Sequence, residues 1–269
     1  MPTSETRAGA PAPRATPLLD ALAAAQDAFA RLLADADPGA PVPACAPWTV
    51  TELGLHLAGV HRWAAGMARG VDDEGDEPAG AAREPAAVRA SYREQAAALL
   101  DTLRTLPADA PALTLDGPGV AAFWHRRQLH ETLVHLHDLA GAAGVPHPLD
   151  DPALWADTVD EVVTVMTPRQ VRLGRMPALD APVALVAVDA GRSWVLGGAA
   201  GAAGAVGAAG AAGAADAADA PSPAPVTLAG PARVLALLLW GRTTADDPAL
   251  TVGGDRAALD EALARPLTP

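Results

Sequence analysis

Apolar residues recur at helical spacing through the first half of the chain, and four elements follow from them. Residues 18–33 alternate Leu, Ala and Phe with polar positions every three or four places, which predicts a first helix. A second is announced by Thr49 and Glu52, whose spacing matches a capping box. Its apolar stripe of Leu53, Leu57, Val60, Ala64 and Met67 carries it to about Arg69. Residues 70–80 read as an acidic loop. A third helix is predicted over residues 83–106, closed by Pro107, and a fourth over residues 120–143, with Gly144 as its stop. Four such helices joined by short to moderate loops predict an antiparallel bundle.

Beyond Pro148 the period changes. Residues 151–166 read as one more helix, and then β-type runs appear at 183–188, 193–196, 226–228 and 250–252. Helical patterns at 231–240 and 255–264 are interleaved with them. The expected fold class is therefore an α plus α/β two-domain chain, an antiparallel four-helix bundle followed by a small α+β domain. The expected boundaries are a disordered tail at 1–17, the bundle at 18–148, a connecting helix and linker at 149–180, and the α+β domain at 181–269. Within the last, Gly recurs every third position from Gly198 to Gly213. Too few triplets and no Pro inside the repeat exclude a collagen helix, so residues 198–220 are expected to form a disordered, flexible hairpin loop.

Composition narrows the function. The formal net charge of −13 argues against nucleic acid and anionic membranes as partners, since both select a basic surface. The one long uncharged run is almost all Gly and Ala, too weakly apolar to span a membrane. Cys45 is the single cysteine, so there is no disulfide framework and the chain suits a reducing cytoplasm. It lies in a Pro-rich loop and reads as an ordinary loop thiol. The sequence has no Lys, Asn or Ile, and this bias points to a GC-rich bacterial source.

The candidate chemistry lies on the second and fourth helices. Glu131 and His135 are four residues apart, which at about 100° per residue puts them on one helix face. Trp124, Gln128, Glu131, His135 and Asp138 form a single stripe at alternating spacings of four and three, and His56 sits beside the apolar stripe of the second helix. Two imidazoles and a carboxylate entering a helical core are costly unless something binds them. A divalent metal held by His56, Glu131 and His135 would offset that cost and leave a coordination position open. The string His130-Glu131 is not the metalloprotease helix, because its second His comes five residues after the first. His61, His125, His130, His137 and His147 are expected at the surface or around the ligands. Arg127, one turn before Glu131, and Asp138, one turn after His135, are placed either to hold those ligands or to form plain intrahelical pairs.

At these residues the chain resembles the mycothiol-dependent maleylpyruvate isomerase family of actinobacteria, whose amino-terminal part is a DinB-like metal-binding four-helix bundle. The resemblance rests on Trp48-Thr49-Val50 with Glu52-Leu53 and His56-Leu57, and on Arg127, Glu131-Thr132, Val134-His135 and Asp138. It continues through Leu149-Asp150, Asp157 and Asp160-Glu161 to the block Leu237-Leu238-Leu239-Trp240-Gly241-Arg242. Pro47 departs from the pattern, standing where relatives usually have Gly before the Trp. The resemblance implies zinc on His56, Glu131 and His135, mycothiol as cofactor, and a sterol-carrier-like carboxyl-terminal domain in which an Arg implicated in activity corresponds to Arg242. It also implies an enzyme that directs a low-molecular-weight thiol onto a small electrophile such as a dicarboxylate, ending in cis–trans isomerisation or thiol transfer.

Two other readings stay open on the residues alone. One is a zinc- and thiol-binding carrier or sensor without turnover, and the other is a bundle whose polar stripe is purely structural. For the insert the expectation is specific: deleting residues 198–219 leaves the melting temperature and metal content unchanged, because Gly and Ala side chains build no core. A large fall in melting temperature on deletion would refute it.

Overall fold

The computed structural model describes residues 17–72, 83–197 and 226–269. The predicted tail falls almost wholly outside these residues, and the Gly/Ala insert does so entirely. The chain divides into two compact units, one of Met1–Val42 with Pro47–Ala143, the other of Pro43–Ala46 with Gly144–Pro269. Residues 149–180 thus group with the second unit. No helix among the described residues is long and apolar enough to cross a membrane.

The first unit is a bundle of α1 (Pro17–Asp35), α2 (Val50–Ala68), α3 (Pro85–Thr105) and α4 (Ala122–Ala143). The start of α2 matches its sequence signal: Thr49 is the N-cap, and its backbone N–H donates to the Glu52 carboxylate at 2.9 Å. Core positions are filled by Leu22, Phe29, Leu53, Leu57, Tyr92, Leu99, Leu129 and Leu133, all buried. Helix directions follow from the pairs that meet. Trp63 packs on Trp124 and His61 meets Gln128, while His56 faces Glu131, so α2 and α4 are antiparallel. Glu52 near the start of α2 pairs with Arg83 just before α3, whereas Arg69 just past the end of α2 bonds Thr102 near the end of α3. These two neighbours therefore run in the same direction, and the order along the bundle is up, down, down, up. The antiparallel expectation applies to α2 against α4 and not to α2 against α3.

Close approach of α1, α2 and α3 is set at Gly54. A Cβ there would stand 2.9 Å from Val88 Cγ1 and 3.2 Å from Leu33 Cδ1, so the absence of a side chain lets both neighbours pack onto the α2 backbone. Between α3 and α4 lies an element that the apolar pattern did not reveal, a hairpin of β1 (Pro111–Thr114) and β2 (Gly117–Val120). Its signal was the turn sequence Leu115-Asp116-Gly117, with Gly117 at φ 100°, but two Pro residues and four-residue strands hid it from a periodicity test. Trp124 Nε1 donates to the Leu113 carbonyl at 2.7 Å and ties the hairpin to α4.

The second unit has a four-stranded sheet of β3 (Val183–Ala187), β4 (Arg192–Leu196), β5 (Val226–Gly230) and β6 (Thr251–Gly253), in the order β4-β3-β5-β6. β3 pairs antiparallel with β4 and parallel with β5, so β4 and β5 lie on opposite sides of β3. β4 and β5 are therefore not hydrogen-bonded neighbours, and the hairpin loop expected for the insert lies outside the described residues. β3 and β5 alternate buried and half-buried residues, which gives the sheet one core face. α7 (Ala232–Leu239) and α8 (Arg256–Leu263) pack on this sheet, and α7 also packs on α5 (Pro152–Glu161). The helix expected to end at Met166 instead continues through a π-turn, Val162–Met166, into α6 (Thr167–Arg172). Pro168 explains the shift. It has no N–H to donate, its ring would press on the carbonyl one turn back, and the Thr167 N–H reaches five residues back to Val162 O. Asp160 then accepts from Trp194 Nε1 at 2.9 Å and from Arg192 Nη2 at 3.1 Å, which fastens this long helix to β4.

The role assigned to Gly54 is open to measurement by thermal unfolding. Gly54→Ala gains about 1 kcal/mol of helix propensity but forces a methyl against a stiff β-branched neighbour, which costs about 1–3 kcal/mol. A net loss of stability is expected, relieved when Val88→Ala is added; a stabilised single variant would show that the bundle opens at that point without cost.

Candidate metal centre

One face of the first unit brings together the three residues chosen from the sequence. His56 comes from α2, while Glu131 and His135 come from successive turns of α4. One ligand atom from each lies within 4.8 Å of the other two. His135 Nε2 is 3.2 Å from Glu131 Oε1, and His56 Nε2 is 3.6 Å from the same oxygen. The two imidazole rings meet edge to face at 5.0 Å between centroids. The stripe behind this arrangement faces inward as its spacing required: Trp124, Gln128, His135 and Asp138 are all buried, and Glu131 keeps one edge open.

Neighbours hold this geometry from both ends. Asp138, itself buried, meets His135 Nδ1 at 3.0 Å. The neutral tautomer that donates Nδ1–H to this carboxylate presents a lone pair on Nε2 toward Glu131, which is how outer carboxylates orient metal-ligating histidines. Arg127, one turn before Glu131 and itself buried, bonds Glu131 Oε2. Burial pushes the Glu131 carboxyl up, but the Arg127 charge and the neighbouring His135 and His56 imidazoles outweigh it and hold the group well below the usual carboxylate range. Glu131 is thus a carboxylate at neutral pH, with one oxygen engaged by Arg127 and the other shared between two imidazoles. Two imidazole nitrogens, one of them on a ring already oriented through its far nitrogen, and one anionic oxygen make a donor set suited to a divalent zinc-like ion.

Three histidines assigned to the surface or to the ligands' surroundings are core residues instead. His61, His125 and His130 are all buried. His61 Nδ1 meets Gln128 Oε1 at 2.8 Å and its ring packs near Tyr92. His61 fell from view because, five residues past His56, it points about 140° away from it. That direction leads into the bundle and not out of it. Trp48 was read only as part of a motif, yet its ring lies 4.6 Å from that of His56. Its position just ahead of the Thr49 cap was the available signal.

Arg242 belongs to the second unit. Gly241, at φ 71°, closes α7, and the Arg242 backbone N–H returns to Leu237 O at 2.7 Å. Its Nη1 donates to the Trp240 carbonyl at 2.7 Å, and its Nη2 to Cys45 Sγ at 3.4 Å. The cation predicted just past a helix end is there, and the Cys45 contact is one that a sequence separation of 197 concealed.

Comparison with known proteins bears on the same elements. Residues 19–140 match the family model of the mycothiol maleylpyruvate isomerase N-terminal domain. In fold, the chain is similar to the crystal structure of the mycothiol-dependent maleylpyruvate isomerase, with 15% identity and a TM-score of 0.57 over 88% of this chain and 91% of that one. It is also similar to a histidine-to-alanine mutant of that isomerase, with 14% identity and a TM-score of 0.60 over the same shares of each chain. No curated protein sequence matches.

Buried His61 makes a pH prediction. Burial depresses its pKa to about 4, although Gln128 and the Glu131 charge favour the cation. Below pH 6.5 or so the unfolded chain takes up a proton that the folded chain refuses until about pH 4. Stability is therefore lost as the pH falls through that window, by up to about 3 kcal/mol. The expected observation is that His61→Leu flattens the fall in melting temperature between these limits. Parallel curves for the two proteins would contradict it.

Proposed function

With residues 19–140 matching the family model of the mycothiol maleylpyruvate isomerase N-terminal domain, we propose that this protein is a metal-dependent enzyme that directs the thiol of mycothiol onto a small conjugated electrophile and isomerises its cis double bond. The observation that carries the reading is the convergence of His56, Glu131 and His135 within 4.8 Å, with Asp138 on the far nitrogen of His135. A zinc ion held by those three side chains would supply an electrophilic centre that lowers the pKa of a thiol, so that the thiolate forms at neutral pH.

The chain's own residues carry the remaining tasks. Glu131 contributes the negative charge that offsets the ion, and Arg127 fixes the carboxylate from its other oxygen. Asp138 keeps the His135 proton on Nδ1, leaving Nε2 free to ligate. In the reaction, sulfur adds to one carbon of the double bond while the π electrons move into the conjugated carbonyl as an enolate. The resulting single bond rotates, and the enolate expels the sulfur to give the trans isomer with the thiol regenerated. Arg242 is the residue proposed to hold a substrate carboxylate or the enolate, as a permanent, planar cation. With a net charge of −13 the protein does not draw in such an anion at long range, so a local guanidinium is the means left. The reducing cytoplasm is the proposed setting for a thiol-dependent reaction.

The test combines metal analysis with turnover. The wild type is expected to bind zinc stoichiometrically and to isomerise a cis dicarboxylate only when mycothiol is present. Glu131→Gln keeps size and helix propensity but removes the charge, so zinc affinity and turnover should both fall steeply. Arg242→Ala should keep its metal and lose turnover. If Glu131 were only the ion-pair partner of Arg127, the Gln variant would retain tight stoichiometric zinc, and Glu131 would leave the ligand set. Zinc and mycothiol bound without turnover would make the protein a carrier or sensor, and release of a stable thiol adduct would make it a transferase.

A further inference from the structure

The two histidines of the site are secured differently. His135 is held through its far nitrogen by Asp138 and its side chain is only 9% exposed. His56 is 30% exposed, and among the described residues Glu131 is the one carboxylate it pairs with. An imidazole on a half-open helix face has several staggered rotamers of similar energy, and only some of them aim Nε2 at Glu131. Fixing one rotamer costs side-chain entropy that some contact must offset.

Trp48 makes that contact. Its ring lies against His56 with 4.6 Å between centroids and 44° between planes, and it reaches to 6.5 Å from the His135 ring. The backbone that carries the indole is held on both sides. The Trp48 carbonyl accepts from Val42 N–H at 2.9 Å, Thr49 bridges to Pro41, and Val50 N–H donates to Ala40 O at 3.0 Å. Thr49 then opens α2, so Trp48 is clamped between a short antiparallel bridge and a capped helix start. Packed against the imidazole, the flat ring restricts the orientations open to His56.

We propose that Trp48 is the positioning residue for His56, doing by ring packing what Asp138 does for His135 by hydrogen bonding. The inference rests on the metal reading of the site, and it assigns to Trp48 a part of the metal affinity that the ligands alone do not supply. Removing an outer partner of a ligand typically weakens metal binding about 10- to 100-fold.

The experiment is a double-mutant cycle on zinc affinity, measured by competition with a chromophoric chelator, with the cobalt(II) absorption spectrum as a second readout. Trp48→Ala is expected to weaken zinc about 10- to 100-fold and to change the cobalt spectrum as His56→Ala does, while Trp48→Phe restores most of both. In a His56→Ala background, Trp48→Ala should cost nothing further, because the residue it positions is gone. Should Trp48→Ala fail to fold, Trp48→Leu, which keeps apolar bulk without the flat face, is read in the same way. Unchanged affinity in the Trp48 variant, or an equal loss in both backgrounds, overturns this inference alone. A wild type that binds no zinc, or a His56→Ala variant with full affinity, overturns the metal reading and this inference with it.

Discussion

The carboxylate of Glu131 is the constraint around which the first unit is arranged. An ionised carboxylate in a helical bundle is unfavourable by several kcal/mol unless its charge is met. Here Arg127 takes one oxygen while His56 and His135 share the other. That division requires α2 to bring His56 up to the same turn of α4 that carries His135. It also requires Arg127 to stay inside the bundle, where it is 6% exposed. A buried ion pair of this kind contributes little to net stability. Its value lies in holding a negative oxygen in a fixed direction beside two imidazoles.

The packing of the bundle serves that requirement. Gly54 lets α1 and α3 approach the α2 backbone, two positions before His56 on the same helix. Trp63 against Trp124 locks α2 to α4 on the other side of the site along the chain. Between these contacts His61 Nδ1 meets Gln128 Oε1 in the core, so the polar stripe of α4 continues inward past the ligands. The polar seam is tied across α2 and α4 at that bond, and the ligand atoms of His56, Glu131 and His135 lie within 4.8 Å of one another.

In the second unit one side chain again decides an arrangement. Asp160 joins a helix to the outer strand β4 through Trp194 and Arg192, and the π-turn that follows it accommodates Pro168 without breaking the helix. Gly241 ends α7 and turns Arg242 out of the helix, where the Trp240 carbonyl and the Cys45 sulfur receive its guanidinium. Both are local devices, a turn residue and a hydrogen bond, that place a cation or a helix where the strands alone would not.

What the amino-acid sequence determined by itself was periodic. The four helices, the inward stripe from Trp124 to Asp138, the Thr49 cap and the strands of the second unit all follow from repeats of 3.6 and 2 and from turn residues. His56, Glu131 and His135 were legible as candidates because two of them share a helix face. What the tertiary structure decided was direction and partnership across elements: α2 and α3 running the same way, His61 entering the core, Trp48 lying on His56, and Cys45 meeting Arg242. Those depend on which face of one element meets which face of another, and no spacing within a single helix carries that information.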